Sequence, residues 1–256
     1  MTQNPKDVAA RRAKRRRAAK IRRLKFLISI FLVLAVIVTV ILSLTVFFSV
    51  EKIVVTGSKK YDDRAVIEAS GLMGENIILA SEEELEEQLR SKLPYIDEIT
   101  LDKKLSGTVT IKITDAKEYA AFLISNKYYV VSKKGYVLRI TDSLPEKTME
   151  IITDVKAAEC GEKLGFSDKE KKKFLSRIIA ILEKYDIKIN NLNLKNVTSL
   201  TARVEDRFNV NFGNEVNIDR KCAQLATMLK SIGSDARGSI NLSMWTNATP
   251  DGTFIR

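Results

Sequence analysis

Residues 47–72 read FFSVEKIVVTGSKKYDDRAVIEASGL, and three kinds of segment meet in them. An uncharged run ends at Val50. Val50, Ile53 and Val55 then alternate with polar neighbours, the period-two pattern of a half-buried strand. "GSKK" turns the chain. Asp62 stands where a helix over "DRAVIEASGL" needs an N-cap, with Tyr61 placed to staple onto Val66. A folded unit therefore begins with almost no linker after a wholly apolar segment.

Upstream, no charged residue occurs from Phe26 to Val50. At about 1.5 Å of helical rise per residue, such a run exceeds the roughly 30 Å hydrocarbon thickness of a bilayer. It is longer than the apolar region of a signal peptide, and "TVFFSV" is bulky where a cleavage site wants small residues. The expectation is one uncleaved transmembrane helix over 26–50. Residues 1–25 hold eleven Lys or Arg against Asp7 alone, so ten of the eleven net positive charges sit there. The high isoelectric point describes this tail, and the other 231 residues are nearly neutral. Cations flanking one side of a span keep that side in the cytoplasm, which places residues 51–256 outside. Arg15, Arg16, Arg17, Arg22 and Arg23 are then expected against anionic headgroups of the lipid bilayer, with no nucleic acid as partner.

Downstream, Ser81 and Glu84 make a capping box that opens a helix with Leu85, Leu89 and Leu93 on one face, and Pro94 stops it. "YIDEITLDKKL", a turn at Ser106-Gly107 and "TVTIKITD" form a hairpin. The order is β-α-α-β-β over 51–117. That order, with Val50, Ile53, Val55 and Gly57 after an apolar anchor and Ser70, Gly71, Leu72, Gly74, Asn76 and Ile77 in the middle, resembles a POTRA domain. Next come strands at Tyr119–Ser125, Tyr128–Val131 and Tyr136–Ile140. The string Tyr128-Tyr129-Val130-Val131-Ser132, then Gly135-Tyr136-Val137-Leu138, following such a unit, resembles the DivIB/FtsQ family of bacterial cell-division proteins.

The remainder alternates helices and strands. Ser167 and Glu170 are placed as a capping box before a helix carrying Phe174, Leu175, Ile178, Leu182 and Tyr185. Strands follow at "INNLNLKN", "SLTARVE" and "FNVNFG", then a helix over 217–232 with Cys222, Leu225, Leu229 and Ile232 on one side. A last strand is expected at Ser239–Thr246. The fold class is thus α+β: a transmembrane helix, the POTRA domain, a mixed "β domain" over 118–246, and a short polar tail over 247–256.

No catalytic constellation emerges, and the chain is read as a non-enzyme. Histidine is absent, which excludes a His-based triad or a His-ligated metal. Gly71 and Gly74 lack the Gly-Lys-Ser/Thr of a phosphate loop. Cys160 and Cys222 are two thiols or one bridge, according to whether the fold brings them together. No cofactor and no metal are expected. The physical route to binding is a sheet edge, whose unpaired N–H and C=O groups a partner strand completes. The family resemblance implies docking of short coiled-coil partners of the FtsL and DivIC/FtsB type on the C-terminal strands, and through them a link to septal peptidoglycan synthesis. The expected contact set is Ile240, Leu242, Ser243, Met244, Trp245, Thr246 and Phe254. Against the family's Gly-x-Ile-Asp-Leu-Arg, residues 238–243 carry Asn241 and Ser243 at the two charged positions. Two rivals are a membrane-anchored cell-wall enzyme and a POTRA-containing translocation or assembly component; the latter wants several POTRA units and a barrel.

Overall fold

The computed structural model describes residues 25–39, 48–78, 80–104, 106–244 and 253–255. Residues 25–39 form helix α1, with the Thr39 hydroxyl donating to the Ala35 carbonyl at 2.8 Å. Among the described residues no helix is long and apolar enough to cross a membrane. Residues 40–47 of the apolar run lie outside them.

Contacts divide the chain into two compact units. The smaller takes in the residues up to Ile53, Leu72–Ala80 and Lys103–Val109. Here the end of the apolar run is already folded. Ile77 N–H donates to the Phe48 carbonyl at 2.7 Å, Val50 N–H to Glu75 at 2.9 Å, and Gly74 N–H to Val50 at 2.9 Å. Ser49 bridges Asn76 in antiparallel fashion. The Gly107 carbonyl, at the hairpin tip, accepts from Glu51 N–H at 2.8 Å and Lys52 N–H at 3.1 Å. Leu72 and Ile77 are buried.

The first domain carries β1 (Lys52–Thr56), α2 (Asp63–Ser70), α3 (Glu82–Lys92), β2 (Ile96–Lys104) and β3 (Thr108–Asp115), with sheet order β1-β3-β2. Local chemistry explains the boundaries. Asp62 accepts from Ala65 N–H at 2.9 Å, and Ser81 from Glu84 N–H at 3.5 Å; an N-cap of this kind contributes about 1 kcal/mol. The helix α3 ends two residues before Pro94. The Tyr61 hydroxyl accepts from Tyr95 N–H at 3.0 Å, which ties the entry of α2 to the loop before β2.

The rest of the larger unit (Val54–Gly71, Ser81–Asp102 and Thr110–Arg256) is built on one sheet. Its strands are β4 (Glu118–Ile124), β5 (Lys127–Ser132), β6 (Val137–Thr141), β7 (Met149–Ile152), β10 (Ile189–Asn193), β11 (Leu200–Val204), β12 (Phe208–Gly213), β13 (Gly238–Asn241) and β14 (Thr253–Ile255). A two-stranded ribbon, β8 (Val155–Lys156) with β9 (Gly165–Phe166), lies between β7 and β10 in sequence. The nine-stranded order is β14-β13-β12-β11-β10-β7-β4-β5-β6. Strand β7 pairs in parallel with β4 on one side and β10 on the other. Helices α4 (Lys169–Lys184) and α5 (Ile218–Ser231) bury Phe174, Leu175, Ile178, Leu182, Ile218, Cys222 and Leu225 in one core with Leu192, Val204, Phe208, Val210, Phe212 and Ile240. The cap of α4 is Asp168, accepting from Glu170 N–H at 2.8 Å and Lys171 N–H at 3.3 Å, rather than Ser167. Both cysteines are free thiols.

Within this unit a polar seam joins the end of α3 to the loops around β6. The buried Arg90 guanidinium donates to the Ile96 and Asp97 carbonyls at 3.2 Å each, pairs with Glu86, and lies 3.9 Å from the Tyr136 ring centroid. Lys134 Nζ reaches Glu98 at 2.6 Å. The Glu118 carboxylate takes a two-pronged contact from Arg139, 2.7 and 3.1 Å, and accepts from the Tyr95 hydroxyl at 2.6 Å. These contacts hold Glu118 below the usual carboxylate range, the Arg139 hydrogen bonds being the largest cause. Gly161 sits so close to the last turn of α3 that a Cβ there would lie 2.3 Å from the Arg90 carbonyl oxygen.

Candidate docking edge

The two ends of the nine-stranded sheet differ. At β6, Val137 N–H donates to the Glu162 carbonyl and Gly161 N–H to the Val137 carbonyl, both at 2.8 Å, so the first residues of that edge are covered. At the other end β13 lies parallel to β12, and β14 lies antiparallel to β13 with Ser239 opposite Ile255, Ile240 opposite Phe254 and Asn241 opposite Thr253. Among the described residues no further strand pairs with β14.

This corrects the expected placement of the edge. The last strand of the core motif is Gly238–Asn241, not Ser239–Thr246, and it is internal. Thr253–Ile255, within the stretch read as a polar tail, supplies the edge instead. The physical reason lies in side-chain alternation. Ile240 and Leu242 are buried, so their side chains are committed to the core. Phe254 is drawn inward too, its ring 5.9 Å from that of Phe208 at an edge-to-face 73°. What faces water is Ile255, 61 % exposed, and Met244, 81 % exposed; Ser243 is half-buried. Trp245 and Thr246 lie outside the described residues, as do Arg15, Arg16, Arg17, Arg22 and Arg23.

Several groups hold this edge in place. Arg207, in the tight turn between β11 and β12, sends Nη1 to the Gly233 and Ser234 carbonyls at 3.1 and 2.6 Å, pairs with Glu205, and lies over the Phe208 ring at 4.8 Å. It thereby fixes the loop that leads from α5 into β13. Gly238 admits β14 because a Cβ there would lie 2.2 Å from the Ile255 carbonyl oxygen. Lys221, buried on the first turn of α5, donates from Nζ to the Phe212 and Asn214 carbonyls at 2.7 and 2.9 Å and to Asn214 Oδ1 at 3.3 Å. Its burial pushes its pKa down. A lysine on the apolar face of a helix gives no warning in the sequence; here three oxygens at the end of β12 receive its ammonium.

Beside the edge, the sheet face away from the helices is polar. Thr201, Arg203, Asn209, Asn211, Ser239 and Asn241 line an open groove of about 630 Å³ that ends at Ile255. Asn191 Nδ2 donates to Glu150 at 2.6 Å, and Arg203 Nη1 to Asn209 Oδ1 at 2.9 Å. Among the described residues, no group of three or more acidic or Cys side chains is placed to hold a metal ion.

The fold is thus a three-stranded, two-helix domain joined to a nine-stranded mixed sheet. Residues 48–115 match the POTRA domain of FtsQ type. Over 209 residues, 78 % of this chain and 78 % of the relative, it is 22 % identical to the cell division protein DivIB of Clostridium tetani. Over 219 residues, 82 % of this chain and 84 % of the relative, it is 23 % identical to the cell division protein DivIB of Clostridium botulinum strain Hall. The POTRA match and these relatives support the DivIB/FtsQ family for this chain.

Proposed function

We propose that this chain is a non-catalytic, single-pass membrane scaffold of the cell-division machinery. The basic tail stays in the cytoplasm, with Arg15, Arg16, Arg17, Arg22 and Arg23 against anionic headgroups. The apolar run crosses the membrane, and both domains are exported at the septum. The C-terminal edge docks coiled-coil partners of the FtsL and DivIC/FtsB type, which link it to septal peptidoglycan synthesis. The relatives that share about four-fifths of the chain carry cell division in their names, which supports the general role. One observation carries the docking part: among the described residues β14 ends the sheet, and its outer side lies beside Ile255, where a partner strand gains main-chain hydrogen bonds and an apolar contact. Met244, Trp245 and Thr246, which follow β13 in sequence, complete the proposed contact with Ser243 and Ile255.

The test is capture of the exported segments of the organism's own FtsL-like and DivIC-like proteins by the full chain in lipid nanodiscs. It is run beside a Met244→Asp/Ile255→Asp double variant whose circular dichroism matches the parent. Both side chains are exposed, so folding is expected to survive. Binding by the parent and its loss in the folded variant is the expected result. Equal binding by both overturns the site, and no binding by the parent overturns the scaffold reading.

A further inference from the structure

We propose that the loop Leu72–Ala80 is a lipid-contacting foot, with Met73 and Ile78 seated in the headgroup region of the same bilayer that the apolar run crosses. This rests on the membrane-spanning reading given above.

The argument begins with slack. Residues 26–47 are 22 uncharged residues. As a helix they reach about 33 Å, enough for a hydrocarbon core of roughly 30 Å. The chain then leaves the hydrocarbon at residue 48, and residue 48 is already bound. Its carbonyl accepts from Ile77 N–H at 2.7 Å, Ser49 bridges Asn76, and the Val50 carbonyl accepts from Gly74 N–H at 2.9 Å. Ile78 follows Ile77 directly, and Met73 precedes Gly74. Consecutive Cα atoms are about 3.8 Å apart. Both side chains therefore fall within a few residues' reach of the exit point, inside the interfacial layer that adds about 5–8 Å to each side of the hydrocarbon.

The loop's side chains are sorted accordingly. Leu72 and Ile77 turn inward and are buried, whereas their neighbours Met73 and Ile78 are 53 % and 56 % exposed. A single exposed aliphatic residue needs no explanation. Two on one short loop, pinned by main-chain hydrogen bonds to the end of an apolar run, have an obvious occupant in the lipid that begins there. The loop is also held at its far end, where Lys103 Nζ donates to the Ala80 carbonyl. From residue 48 onward, the charges of the same unit are mixed: Lys52, Lys103 and Lys104 against Glu51 and Glu75. Apolar insertion, not attraction to anionic headgroups, is thus the driving term, and the contact is expected in zwitterionic lipid as well.

The experiment uses the full chain with Trp245→Phe, reconstituted in phosphatidylcholine vesicles with or without lipid brominated on its acyl chains. Single tryptophans are placed at Met73, Ile78 or Ile37, the last within α1. Quenching by bromolipid and a blue-shifted emission at Met73→Trp and Ile78→Trp, alongside quenching at Ile37→Trp, is the expected result. Quenching at Ile37→Trp with none at the two loop positions overturns the foot while leaving the span in place. This is also the outcome if the loop's occupant is a partner's transmembrane helix. No quenching at Ile37→Trp overturns the span and the foot together. Should a tryptophan variant not fold, the unaltered chain with a diazirine-bearing lipid gives the same decision: photoadducts within residues 72–80 support the foot, and their absence in a sample labelled within 26–39 overturns it.

Discussion

Replacing Gly161 by alanine tests whether the seam between α3 and the β6 loops is as tight as it looks. Gly161 has φ +91, and an added Cβ would lie 2.3 Å from the Arg90 carbonyl oxygen and 2.9 Å from Arg90 C and Ser91 Cα. All three are backbone atoms of a helix turn, so no side chain can swing aside. Gly135 is the natural comparison: its φ is +84, and an added Cβ there meets nothing within 4 Å. The left-handed backbone costs either alanine about 1–2 kcal/mol. Overpacking adds a further 1–3 kcal/mol or so at Gly161 alone. Gly161→Ala should therefore lose about 2–5 kcal/mol and Gly135→Ala about 1–2. For a folded part of this size, 1 kcal/mol moves the midpoint by about 2–4 °C, which separates the two variants by roughly 2–12 °C. Thermal melts of the full chain followed by circular dichroism, at one protein concentration and in one detergent, give the comparison. Hydrogen exchange should place the extra loss at Arg90–Glu98 and Glu159–Lys163. Midpoints equal within a degree would refute the steric argument.

Two further outcomes follow from titrating groups. Glu118 has its folded pKa depressed by Arg139, so its contribution to stability is complete above the ordinary value of 4.5 and is lost as pH falls through the folded value. The urea midpoint of Glu118→Gln should lie below that of the parent at neutral pH, and the gap should close as the pH falls through the folded value; a gap independent of pH would contradict the assignment. Burial pushes the Cys222 thiol up to about 12, whereas Cys160 is only half-buried. Ellman's reagent at neutral pH should therefore react with Cys160 in the native protein and with Cys222 only after urea unfolding.

Most of the first domain was legible in the sequence because its signals are local. Asp62 and Ser81 cap their helices, Pro94 follows the end of α3, and Ser106-Gly107 turns the hairpin. The adjacent oxygens of Ser167 and Asp168 competed for one helix start, and backbone geometry chose the second. What escaped was non-local. "MEII" at Met149–Ile152 becomes a strand only because β4 and β10 receive it in parallel, and nothing next to it in sequence announces either partner. Likewise "TFI" near the C-terminus is too short to declare itself, and it is a strand because Gly238 leaves room for it. The open edge of the sheet therefore lies one strand later than the sequence suggests, and Ile240 and Leu242 of the expected contact set face the core.

Strand β7 has a mechanical consequence. The hairpins β4-β5-β6 follow directly on the first domain, while the strands from β10 to β14 lead to the open edge, and in the hydrogen-bonded ladder the two groups meet only at these four residues. A tug on β14 runs across the strands, peeling rather than shearing them, and within the ladder it reaches, through β7, the hairpins that follow the first domain. If a constricting septum loads this protein, the three pairs that hold β14 to β13 part first, and the parallel pairs Ala121–Glu150 and Leu192–Ile151 carry whatever load is passed on.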